Sequence, residues 1–157
     1  MSKLKCVIVE DSEIQRITLE RIIKSHPDLV LVISFRNAIE AKNGINNRSI
    51  DLVFLDIEMP LISGFELLET LNYKPQVIVI AGKTEHALKA FEYDVTDFLQ
   101  KPIQQTRFDL AIKRAMLKYE QDHHNNDSEI KFLSDLREIK RELVLEKLNG
   151  LKQKEIM

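Results

Sequence analysis

Apolar and polar positions along this chain follow two rhythms in turn. Short, largely apolar runs at Leu4 to Val9, Leu29 to Ser34, Leu52 to Leu55, Val77 to Ile80 and Val95 to Leu99 read as buried strands. Between them lie segments whose apolar residues recur three and four apart. Glu13 to Lys24 carries Ile14, Ile17, Leu19, Ile22 and Ile23, and His26-Pro27 stops it. Asn37 is placed to cap a helix over Ala38 to Ile45, closed by Asn46-Asn47. Gly64 to Leu71 reads as a further helix. Thr84 is placed to cap Glu85 to Glu92, and Gln104 to Tyr119 is a long amphipathic helix. Strand and helix alternating in this way predict an α/β domain, a doubly wound parallel sheet with helices on both faces.

Three of the strands end in charge. Cys6-Val-Ile-Val-Glu10-Asp11 delivers two carboxylates, Asp51-Leu-Val-Phe-Leu-Asp56 one more, and Asp97-Phe-Leu-Gln-Lys101-Pro102 an amine. In doubly wound sheets, ligands sit beyond the carboxyl ends of the strands, where the winding reverses. Oxygen ligands of this kind suit a hard cation such as Mg²⁺, and clustered carboxylates raise one another's pKa without one. Asp56 has the chemistry of a nucleophile toward phosphorus, with Lys101 and the cation offsetting charge on the phosphoryl oxygens. Met59-Pro60 turns the chain away, and Gly64 opens the next helix.

These residues resemble the receiver domain of two-component response regulators over roughly residues 1–120. The resemblance is carried by Glu10-Asp11, Leu55-Asp56-Ile-Glu-Met-Pro60, Gly64 and Lys101-Pro102. It implies a flavodoxin-like five-stranded sheet in the order 2-1-3-4-5. It also implies that Asp56 accepts phosphate from a histidine kinase or phosphotransfer protein, catalysing only its own phosphorylation and dephosphorylation. Asp11, Asp56 and the backbone carbonyl of Glu58 would hold Mg²⁺, Glu10 would act mostly through water, and Lys101 would bond the phosphoryl group. The Lys101–Pro102 peptide would be cis. Within the family, Glu85 to Leu99 is similar to receivers that precede LytTR-type DNA-binding domains. The signal would leave through the face made by the fourth helix, fifth strand and last helix, a face that often dimerises. One departure stands out: Ala81 occupies the position of the family's switch hydroxyl, and Phe98 that of its commoner Tyr. Either Thr84 or the Gly82–Thr84 backbone then couples the site to the surface, or the domain switches weakly.

Composition changes this picture little. The chain has 157 residues, a formal net charge of −2 and one cysteine, which cannot form an internal disulfide. No basic field favours nucleic acid or anionic lipid. No apolar run reaches the ~20 residues of a membrane helix, and the first residues lack a signal pattern, so a soluble cytoplasmic protein is expected. After Tyr119 the polar stretch 121–128 reads as a linker. Residues 129–157 read as a helical extension or the stub of an output region, with Phe132, Leu136, Ile139 and Leu143 as a packing or dimer seam. The tail faintly resembles the opening of a LuxR-type helix-turn-helix but supplies no recognition helix, so DNA reading by these residues is not expected. Lone histidines and His123-His124 lack metal spacing. Two rivals remain: a pseudo-receiver that only docks, supported by Ala81, or the N-terminal part of a DNA-binding regulator. A flavin-binding protein is excluded because Glu10-Asp11 would repel a phosphate after the first strand.

Overall fold

The computed structural model describes the backbone of residues 3–156 and the side chains of 3–123 and 136–148. The strands are β1 (Leu4–Val9), β2 (Leu29–Phe35), β3 (Leu52–Asp56), β4 (Gln76–Ala81) and β5 (Asp97–Gln100). They pair in parallel in the order β2-β1-β3-β4-β5, the expected flavodoxin-like arrangement. The helices are α1 (Glu13–Lys24), α2 (Ala38–Asn46), α3 (Gly64–Thr70), α4 (Ala87–Glu92) and α5 (Gln105–Ile156). Winding reverses at β1, which has β2 on one side and β3 on the other. The carboxyl ends of β1 and β3 therefore flank the crevice that the topology opens.

Side-chain alternation divides the core. Val7, Val9, Val53, Leu55 and Val79 point to one face and pack with Ile45 of α2, Phe65 and Leu67 of α3 and Ala90 of α4. Phe54, of opposite parity, stacks on Phe108 of α5 at 5.7 Å between ring centroids. Each such side chain contributes about 1.5–3 kcal/mol when fully buried. Both faces of the sheet are thus apolar, which is why the strands read as unbroken hydrophobic runs.

Local chemistry fixes the helix starts. Ser12 accepts from Gln15 N at 3.4 Å, Asn37 from Glu40 N at 2.9 Å and Ser63 from Glu66 N at 3.3 Å. Thr84 does not cap. It begins a 3₁₀ turn over Thr84–His86, and the extended residue before it is Lys83, which offers no capping oxygen. A cap needs extended backbone, and Thr84 is already inside the turn. The fourth helix is accordingly short.

The polar stretch 121–128 is helical, part of α5. A polar composition there does not break the backbone. The chain divides into two compact units after Met116. In the second unit Leu136, Ile139 and Leu143 are exposed, and the helix continues from Arg141 to Ile156 without a turn. The side chain of Phe132 lies outside the described residues. Among the described residues no helix is long and apolar enough to cross a membrane.

Candidate functional site

Glu10 and Asp11 directly follow β1, Asp56 is the last residue of β3, and Lys101 follows β5. The sheet brings these strand ends together. One oxygen from each of Glu10, Asp11 and Asp56 lies within 4.8 Å of the others. Glu10 and Asp56 are 3% and 4% exposed, so both are removed from solvent, while Asp11 faces it. Lys101 Nζ donates to Glu10 Oε1 at 3.0 Å and to Gln15 Oε1, and it stands 3.5 Å from Asp56 Oδ2. Asp56 Oδ1 accepts from the backbone N–H of Glu58 at 2.9 Å. The Lys101–Pro102 peptide is cis, as the resemblance implied.

The electrostatics follow from burial. Glu10 is pushed from the ordinary 4.5 to about 8, first by desolvation and then by the facing Asp56, with Lys101 pulling the other way. Burial alone would lower the Lys101 ammonium, but the bond to Glu10 and the charges of Asp56 and Glu10 hold it above its usual value. Glu10 Oε2 is buried and has no donor among the described residues. An orphaned carboxylate oxygen beside two further carboxylates fits a hard divalent cation, which takes oxygen ligands and cancels their repulsion. A cavity of about 400 Å³ adjoins the cluster and is lined by Glu10, Gln15, Asp56 and Lys101 together with apolar Leu19 and Ile22.

The residues around the missing hydroxyl take three different places. Ala81 is wholly buried in the valine-rich core, and Phe98 packs against the same cluster. Thr84 lines a separate groove with Phe98, Lys101 and Arg107 and does not line the Asp56 cavity. Met59 is buried core. His86 is half-buried, with Nε2 3.7 Å from Glu58 Oε2. The other Glu58 oxygen, Oε1, accepts from the backbone N–H of Gly82. The resemblance gave Glu58 a backbone carbonyl for the cation and placed it with Lys83 at the flank of the site, but the contact of its side chain with Gly82 and His86 was not foreseen, because it joins two loops remote in sequence. Gln15 was missed too, although its place in the first turn after Glu10-Asp11 was a usable signal.

The response regulator receiver domain family matches residues 6–113 of the chain. The transcriptional regulatory protein BtsR of Salmonella typhi is 34% identical over 113 residues, 71% of this chain and 47% of that protein. The protein MrkE of Klebsiella pneumoniae is 29% identical over 125 residues, 78% of this chain and 46% of that one. The chain therefore spans about half the length of the curated relatives it matches. The crystal structure of the response regulatory domain of MrkE superposes with a TM-score of 0.68 at 29% identity, covering 75% of this chain and 99% of that domain. The response regulator domain of Thermotoga maritima CheB gives 0.62 at 28% identity, over 76% and 95%. With the family matched over residues 6–113 and a relative 34% identical over 71% of the chain, the chain belongs to the response regulator receiver domain family.

Proposed function

We propose that this chain is a phosphorylation-dependent signalling receiver, with Asp56 as phosphoacceptor for a histidine kinase or phosphotransfer protein. The observation that carries the reading is the convergence of three carboxylates within 4.8 Å, with the Lys101 ammonium 3.5 Å from Asp56. Glu10, Asp11, Asp56 and the backbone carbonyl of Glu58 would hold Mg²⁺, which when bound supplies positive charge for the phosphoryl oxygens. An Asp56 oxygen attacks the donor's phosphorus, and the bond from phosphorus to the donor nitrogen breaks, its electron pair staying with that nitrogen. Lys101 stabilises the charge spread over the transferred group. Water later returns Asp56 to its free carboxylate, so the domain acts on nothing but its own phosphoryl group. Residues 1–120 form the receiver, 121–128 a helical connection, and 129–157 an extension toward a partner or output region. The face made by α4, β5 and α5 carries the signal and can pair two copies, and the cytoplasm supplies the kinase.

Intact mass after incubation with Mg²⁺ and acetyl phosphate tests this. A phosphoryl adduct is expected for the wild type and not for Asp56→Asn. Absence of an adduct even with the cognate kinase would overturn the reading. That outcome would favour the second reading, a docking module with little switching, which the donorless Ala81 supports.

A further inference from the structure

Ala81 leaves the end of β4 without a side-chain donor beside the acidic cluster. Asp56 pairs in register with Ile80, and the first backbone donor beyond β4 is the N–H of Gly82. That donor is already engaged. The Glu58 carboxylate accepts from it through Oε1, its Oε2 faces His86 Nε2 at 3.7 Å, and the Glu58 backbone N–H holds Asp56 Oδ1 at 2.9 Å. One residue thus ties the phosphoacceptor to the first residue after β4 and to the 3₁₀ turn that leads into α4. A Cβ placed on Gly82 would stand 3.4 Å from Glu58 Oε1, at ordinary contact distance, so the carboxylate lies against this residue.

We propose that the Glu58 side chain is a positioning residue that occupies the Gly82 N–H in place of a phosphoryl oxygen and is displaced when Asp56 is phosphorylated, releasing the Thr84–His86 turn. The inference rests on the receiver reading and supplies the switch for which Ala81 lacks a hydroxyl. Two effects drive the exchange. Phosphorylation replaces the single charge of the Asp56 carboxylate with an acyl phosphate of about −1.5 to −2, and the added negative charge repels the neighbouring Glu58 carboxylate. Its oxygens are also strong acceptors for a backbone N–H at this strand end. Once Glu58 leaves Gly82 and His86, the turn keeps only its backbone bonds, from His86 N–H to Lys83 O at 3.5 Å and from Ala87 N–H to Thr84 O, with no side-chain cap at Lys83.

Amide hydrogen exchange over residues 82–86 of the full chain tests the exchange of partners, with Mg²⁺ and beryllofluoride as the phosphoryl mimic. In the absence of the mimic, Glu58→Ala is expected to speed exchange of this segment at least tenfold. Glu58→Gln keeps an acceptor for Gly82 and is expected to restore wild-type protection. Addition of the mimic should speed exchange at 84–86 in the wild type and leave Glu58→Ala unchanged, because its turn is already free. Wild-type exchange rates in Glu58→Ala, or a bound mimic with no change at 84–86, would overturn the proposal while leaving Asp56 as the acceptor. Loss of the Asp56-dependent phosphoryl adduct by mass would overturn the receiver reading itself and the latch with it.

Discussion

A carboxylate buried at a strand end costs free energy unless a charge or donor answers it, and Glu10 is answered on one oxygen only. Its proton is held to about pH 8 in the fold, whereas the unfolded chain releases it near 4.5. Between these values the native state binds more protons, so stability is fully present below 4.5 and falls as pH rises toward 8. In Mg²⁺-free buffer, Tm is expected to drop on the order of 5 °C between about pH 5 and about pH 8. Glu10→Gln should remove most of that drop, and Mg²⁺ should raise the wild-type Tm most at the alkaline end. Calorimetry showing a wild-type Tm flat across the window would dismiss this account. At the same scale, much of the site was legible: Glu10, Asp11, Asp56 and Lys101 each end an apolar run, and burial of the runs forces their ends together. The Glu58 side chain was not legible, because its partners Gly82 and His86 belong to a different βα unit and no periodicity ties them to it.

Elements were legible to the degree that one local signal set them. The strands stood out because both faces of the sheet are covered, and Asn37 marked α2 because a short side-chain oxygen has a single use before a helix. Thr84 misled for the converse reason. Its hydroxyl looked like a cap, yet the chain enters the turn one residue earlier, at Lys83. What pins β5 to α5 was invisible in the pattern, although its charges were in plain sight. Asp97 is 2% exposed and takes two bonds from Arg107, at 2.8 and 2.6 Å, and one from Arg114 at 2.9 Å. Burial alone would raise its pKa, but the two guanidiniums and the N–H of Phe98 hold it below the usual carboxylate range. Removing one member of a buried pair costs about 3–5 kcal/mol. Here the Arg107 and Arg114 side chains are 38% and 51% exposed, so they recover hydration when left alone. Asp97→Asn is therefore expected to cost less, about 2 kcal/mol. Urea unfolding followed by circular dichroism would read this as a lower midpoint with unchanged slope. A midpoint equal to the wild type would mean that the β5–α5 join does not depend on this cluster.

For the whole molecule, the division after Met116 separates two kinds of surface. The first unit contains the sheet and both of its cores, and its exposed large apolar residues, such as Ile14, Leu61 and Leu88, are spread over α1, the loop after β3 and α4. The second presents Leu136, Ile139, Leu143, Val144, Leu145 and Leu148 at 40–57% exposure on a helix with no covering element among the described residues. So many large apolar side chains on one short stretch exceed what a soluble surface scatters singly, the pattern expected of a contact surface. Leu136, Ile139 and Leu143 recur three and four apart, the spacing of a seam between helices. Without a phosphodonor, the 157-residue chain is thus expected to self-associate in sedimentation velocity, with residues 1–120 running as a monomer until phosphorylated. Ile139→Glu together with Leu143→Glu should shift the full chain to the monomer, since charge within the seam opposes burial. Neither change should alter the Asp56-dependent phosphoryl adduct, because every residue of the acidic cluster lies in the first unit. A monomeric full chain at high micromolar concentration would instead assign this apolar stretch to a different partner. An adduct lost on truncation to residues 1–120 would show that the two units are not chemically independent.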